Sequence, residues 1–124
     1  MSDRMTRGFS YVGRMTAGSM DWTVMVRSST GEEIPLEQRQ DLANHSPSGF
    51  AWGYNGSGPS QLALAMLAHY FGASVGRRTA DELALRYYQA FKAAVIAELD
   101  GRFELAVPDM QDKLRAIMES RAAL

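Results

Sequence analysis

The most constraining feature of the sequence is a glycine-rich turn followed by a helix with apolar residues on every side. The turn has the letters GFAWGYNGSGP at residues 49–59, and its proline suits the first position of a helix. Ser57 or Gly58 is predicted to cap this helix, and Gly72 to end it in a left-handed conformation. Such a helix must lie at the centre of the molecule, because its large side chains spread almost all round: Leu62, Leu64, Met66, Leu67, Tyr70 and Phe71.

Alternating patterns predict three strands before this helix. Residues 9–15 and 21–27 alternate with a period of two and are rich in aromatic and β-branched side chains. Ala17-Gly18-Ser19 between them has the composition of a turn, which predicts a hairpin. Phe50, Trp52 and Tyr54 also alternate, and they predict a short third strand with one aromatic face.

The segment between the second and third predicted strands has no clear period. Ile34-Pro35-Leu36 is expected to be extended, because a residue before proline avoids the α region. Residues 37–43 are expected to form at most a short helical turn.

The second half of the chain predicts two helices and one strand. Thr79 and Glu82 have the spacing of a capping box, which predicts a helix that ends near Asp100-Gly101. Residues 103–105 predict a fourth strand, and Pro108 opens a last helix with its apolar residues inward: Met110, Leu114, Ile117 and Met118. The predicted order is β-β-β-α-α-β-α, an α+β fold with an antiparallel sheet packed against helices. Residues 1–124 are expected to form one domain, with residues 1–8 as a flexible tail.

Composition narrows the class of protein. The chain is 46% hydrophobic and contains no cysteine, so we expect a globular fold without disulfides or thiol catalysis. A formal net charge of −1 disfavours nucleic-acid binding. No apolar run is long enough to span a membrane and no signal peptide is evident, so a cytoplasmic protein is expected.

The glycine-rich turn is the first candidate site. A strand that runs through glycines into a helix N-terminus can bind an anion, but the Walker loop, the dinucleotide fingerprint and the nucleophile elbow all fail here. A sharp structural turn explains the same glycines. If the turn does bind a small anionic ligand or nucleotide, Arg14 or Arg27 could supply countercharge, and the predicted ligand-binding residues are His45, Asn55, Ser57, Gly58, Ser60 and Gln61.

Histidines and aromatic residues supply two further candidates for chemistry. His45 with a nearby serine could act in a hydrolase or transferase, although no orienting carboxylate is evident, so no catalytic residue is assigned. His69 lies too far from His45 in sequence to predict a metal site, and no cofactor is expected. The aromatic strand could stack bases, but core packing explains it better.

Acidic residues are concentrated in the segment with no clear period. Glu32, Glu33 and Glu37 are typical of a solvated face, and they could also form a patch that contacts a basic protein partner.

Four short motifs resemble a known family. They are H-S-P-x-G-F-x-W-G-Y-x-G-S-G-P at residues 45–59, Y-V-G-R at 11–14, Y-Q-x-F-K at 88–92 and F-E-L at 103–105. Together they resemble domain-of-unknown-function family 6166, whose members are short proteins of bacteria, archaea, phages and plasmids. The chain has Ala51 where the family often has an acid and Asn55 where it often has glycine. If that acid is catalytic in the family, Ala51 argues against catalysis here.

These observations favour a small non-enzymatic binding or adaptor protein with a protein partner. The resemblance implies a setting in mobile elements, and with it the inhibition of a host defence protein. Binding of an anionic ligand at the glycine-rich turn and Ser/His catalysis are the two alternatives. The aromatic content also leaves a homodimer open.

Overall fold

The computed structural model describes residues 8–15 and 22–122, which form one antiparallel sheet with helices packed on one face. The described strands are β1 (Ser10–Met15), β2 (Trp22–Arg27), β3 (Glu33–Pro35) and β4 (Phe103–Ala106). Their order across the sheet is β3-β2-β1-β4, so β3 and β4 are its edges. The predicted α+β class and the element order β-β-β-α-α-β-α are confirmed.

The predicted pairing of the first two strands is confirmed. β1 and β2 are antiparallel, with Tyr11 opposite Val26 and Gly13 opposite Val24. Side chains alternate between faces, so Tyr11, Val24 and Val26 point to the core and are buried. The predicted turn at residues 17–19 lies outside the described residues.

The prediction of a third strand at residues 50–54 is wrong. Those residues form no strand; the third strand is the edge strand β3, in the segment that was expected only to be extended. Gly49 and Gly53 have φ of +112° and +88°, so the backbone bends on both sides of Trp52. The Trp52 indole donates a hydrogen bond to the carbonyl of Gly101 at 2.6 Å, and its ring fills the core instead of belonging to a sheet face.

The central helix is α1 (Ser57–Gly72), and nearly all of its first twelve residues are buried as predicted. Its ends differ from the prediction. Gly56 is the N-cap and makes no side-chain cap hydrogen bond, while the C-cap is Ala73 in a right-handed conformation. Gly72 is the last helical residue and does not have positive φ.

The second helix, α2 (Arg77–Ala94), packs along α1. It begins two residues before Thr79, with Gly76 as the N-cap and no side-chain cap hydrogen bond, so the predicted capping box is wrong. It also ends before Asp100, because Val95 leaves the helical conformation (φ −125°, ψ −59°) and a short 3-10 helix follows at Ile96–Glu98.

The last helix, α3 (Val107–Ala122), starts beside Pro108 as predicted. Met110 and Leu114 are buried, and Ile117 and Met118 pack against the core while half-buried. In the segment after β3, Leu42 N donates to the carbonyl of Arg39 at 3.1 Å, which forms a turn and not a helix.

Candidate functional site

An open groove lies between the β2–β3 side of the sheet and the second half of α1. Its volume is about 580 Å³, within the range of about 300–1,000 Å³ that is typical of ligand sites. The start of α2 closes one end. The walls are mostly apolar and include Phe9, Val26, Ile34, Leu36, Ala68 and Ala73.

His69 provides a polar group in the apolar wall. Its Nδ1 lies 2.8 Å from the hydroxyl of Tyr11, whereas that hydroxyl is 3.4 Å from the carbonyl oxygen of Met66. The shorter contact is the better hydrogen bond, so we assign the hydroxyl proton to it and the ring proton of His69 to Nε2. Burial lowers the pKa of His69, which keeps the ring neutral at pH 7.

The cations of the groove are already paired. Arg39 is 6% exposed and bonds Asp81 through two contacts of 2.9 and 2.8 Å, and it also bonds Asp41. Hydrogen bonds to Asp81 and then to Asp41 raise the pKa of Arg39. Arg77 lies 3.5 Å from the carboxylate of Glu37. Neither cation therefore offers an uncompensated positive charge to a ligand.

The acidic residues predicted from the sequence divide between two faces. Glu32 and Glu37 line the groove. Glu33 lies on the opposite face of the sheet, where Arg14 donates two hydrogen bonds of 2.8 Å and Arg27 donates one of 3.0 Å. These hydrogen bonds lower the pKa of Glu33 to about 2.

Glu32 is exposed, and its carboxylate has no hydrogen bond or ion pair with any residue of the described ranges 8–15 and 22–122. Its backbone is nevertheless held, since its amide donates to Ser28 Oγ at 3.2 Å and its carbonyl accepts from Ser28 N at 2.8 Å. Within the described part of the chain, the Glu32 carboxylate is therefore unpaired and stands on a hydrogen-bonded backbone beside apolar walls.

The predicted ligand-binding residue Gln61 has a structural role. Its side-chain oxygen accepts hydrogen bonds from the amides of His45 and Ser46 at 2.8 and 3.2 Å, and its side-chain nitrogen donates to the carbonyl of Gln38 at 2.8 Å. Gln61 is fully buried. Its amide therefore holds the segment after β3 against the first turn of α1.

The other residues of the glycine-rich turn divide into buried and exposed members. Gly58 and Ser60 are buried, and a Cβ on Gly58 would lie 2.6 Å from that of Ala51. Asn55 and Ser57 are exposed. Twelve residues of α1 separate Ser57 from the groove residue His69, about 18 Å at 1.5 Å per residue. The turn and the groove are thus at opposite ends of the helix.

His45 is half-buried, and its ring is bound to a tyrosine. Its Nε2 lies 2.7 Å from the hydroxyl of Tyr88 on α2. This contact joins two segments that carry the sequence resemblance. In the described part of the chain no hydrogen bond joins the imidazole to a serine.

Sequence reasoning missed two important groove residues. Ile34 was expected only to be extended, and its side chain is 62% exposed at the groove. His69 was considered only as a metal ligand. The available signals were a lone isoleucine among acidic residues and a lone histidine in the apolar stretch that follows Gln61 in α1.

Fold and groove together define a small α+β protein with an apolar cleft beside an edge strand. Residues 11–116 match the model of a Family of unknown function (DUF6166), so the chain belongs to that family. No curated protein and no solved structure matches the chain. Within the described residues, no helix has the length and apolarity to cross a membrane, and no group of three or more potential ligands could hold a metal ion.

Proposed function

We propose that the protein is a binding protein whose groove holds an apolar side chain from an extended segment of a protein partner. The observation that carries the proposal is the groove itself, with Ile34 62% exposed at its edge. Burial of the partner's apolar side chain against these walls is favourable by about 25 cal/mol per Å² of apolar surface removed from water.

Charge supports a basic residue in the partner. Arg39 and Arg77 form ion pairs with carboxylates of the same molecule. The Glu32 carboxylate has no ion-pair partner among the described residues. A lysine or arginine beside the apolar side chain would complement it.

A selection of random peptides displayed on phage tests the proposal. We expect wild-type protein to enrich peptides, and Ala73→Trp to weaken their binding at least tenfold by filling the groove. Ala73 suits this change, because it is exposed and has ordinary right-handed backbone angles.

Ala116→Trp, on the exposed surface of α3, is the matched control and should leave peptide binding unchanged. The proposal is wrong if no peptide is enriched, or if the enriched peptides bind Ala73→Trp as tightly as wild type. Inhibition of a host defence protein, and the alternatives at the glycine-rich turn and at His45, remain predictions.

A further inference from the structure

Among the residues that the structure describes, none uses the outward hydrogen-bonding groups of the β3 backbone beside the groove. β3 is an edge of the sheet, and Ile34 is opposite Val26 in its pairing with β2. Ser28 N donates to Glu32 O at 2.8 Å and Leu36 N donates to Val24 O at 3.0 Å.

Hydrogen-bonded pairs in an antiparallel ladder recur every second residue, so Ile34 also directs its N–H and C=O toward β2. The N–H and C=O of Glu33 then point to the open edge, together with the C=O of Pro35. These are the groups that a further strand would use.

Side chains along this edge alternate between the groove and the opposite face of the sheet. Glu32 and Ile34 both line the groove, whereas Glu33 lies on the other face with Arg14 and Arg27. A strand added at this edge would alternate in the same way. Its residues opposite Glu32 and Ile34 would face the groove.

We infer that the partner segment binds as an added antiparallel strand on β3, with the order apolar residue, any residue, basic residue. This inference rests on the proposed function. The middle residue exchanges two backbone hydrogen bonds with Glu33. The apolar side chain enters the groove beside Ile34, and the basic side chain lies beside Glu32.

Pro35 limits the added strand. It has no N–H, so it can accept a hydrogen bond from the partner but cannot donate one. Only Glu33 can make the full two-bond exchange within β3, and this sets the register of the partner. A slip of one residue would turn the apolar and basic side chains to the opposite face.

The spacing can be tested with two libraries of capped heptapeptides, Thr-x-Leu-x-Lys-x-Thr and Thr-x-Leu-Lys-x-x-Thr, in which x is randomised. We expect wild-type protein to enrich the first library at least fivefold over the second. The best-binding peptide of the first library is then compared with a copy that has threonine in place of lysine. Glu32→Gln should abolish the preference for the lysine peptide, whereas Glu119→Gln, exposed on α3, should not.

The backbone contact is tested on the best-binding peptide of the first library. N-methylation of the residue between Leu and Lys should weaken binding about tenfold, because it removes the hydrogen bond to the Glu33 carbonyl. N-methylation of Leu should have little effect, since that amide points away from β3.

Equal enrichment of the two libraries, or equal binding of the two N-methylated peptides, would overturn the inference. Random peptides that bind the groove without this spacing would overturn it as well, while leaving the proposed function intact. Failure of random peptides to bind at all would remove both.

Discussion

At the scale of single residues, buried polar side chains hold the loops in place. Gln61 directly precedes the apolar stretch of α1 and is fully buried. Both ends of its amide are occupied, by the amides of His45 and Ser46 and by the carbonyl of Gln38. A buried amide is tolerated because its donors and acceptors are satisfied. The residue was a reasonable candidate ligand from the sequence, but its hydrogen bonds are internal.

We predict that Gln61→Leu lowers the free energy of unfolding by about 3 kcal/mol, because it leaves two N–H groups and one carbonyl without their partner. Urea denaturation followed by circular dichroism measures the change. Gln89→Leu, at an exposed position of α2, is the control and should change stability by less than about 0.5 kcal/mol. Equal losses of stability in the two variants would contradict the stabilising role of the Gln61 hydrogen bonds.

At the scale of elements, β1 is shaped by the ring packed over its glycine. Gly13 is opposite Phe103 of β4, and a Cβ at Gly13 would lie 2.0 Å from an atom of the Phe103 ring. That ring cannot easily move, because it packs edge-on against Trp52 at a centroid distance of 4.9 Å. Trp52 also contacts Trp22 of β2 at 4.8 Å. One glycine thus lets three aromatic rings pack across the sheet.

We predict that Gly13→Ala destabilises the protein by about 1–3 kcal/mol through overpacking. The melting temperature and near-ultraviolet circular dichroism should both report the change. Combining Gly13→Ala with Phe103→Leu should cost less than the sum of the two single substitutions, since the smaller side chain relieves the clash. If the two stability losses simply added in the double variant, the Phe103 ring would not be the cause of the Gly13→Ala destabilisation.

At the scale of the whole molecule, the two faces of the sheet have different chemistry. One face packs against the helices and forms the core. The other carries ion pairs that cross all four strands, since Arg14 and Arg27 bind Glu33, and Arg27 also lies 3.2 Å from Glu104. This outer network and the neutral histidine of the groove together make stability depend on pH.

We predict that stability falls in two stages as the pH is lowered from 7. The pKa of His69 is below its ordinary 6.5 in the folded protein, so the unfolded chain takes up the proton first and stability drops below pH 6.5. The pKa of Glu33 falls from 4.5 to about 2, so its contribution is present above pH 4.5 and is lost toward pH 2.

Urea denaturation at a series of pH values measures both stages. His69→Gln should flatten the upper stage, and Glu33→Gln should flatten the lower one. If either variant kept the wild-type dependence of unfolding free energy on pH in its stage, the replaced residue would not be the group that causes that stage.

The prediction from sequence was strongest where a pattern is long and local. The inward-facing residues of the hairpin follow from the alternation around Tyr11 and Val24, and the burial of α1 follows from its lack of a polar face. It failed at short segments. Three alternating aromatic residues around Trp52 resembled a strand, but flanking glycines bend that backbone away from the sheet. Glu33–Pro35 became a strand because β2 offered an edge for pairing, which no local pattern indicates.

The sequence by itself determined the α+β class, the central helix and the absence of a known phosphate-binding loop, because these depend on residue type and spacing along the chain. Only the tertiary structure decided where a ligand could bind. The groove joins Ile34, His69 and Arg77, which belong to three different elements. Such neighbours are set by how a sheet edge and two helices pack. The glycine-rich turn therefore shapes the core, while the groove lies at the other end of α1.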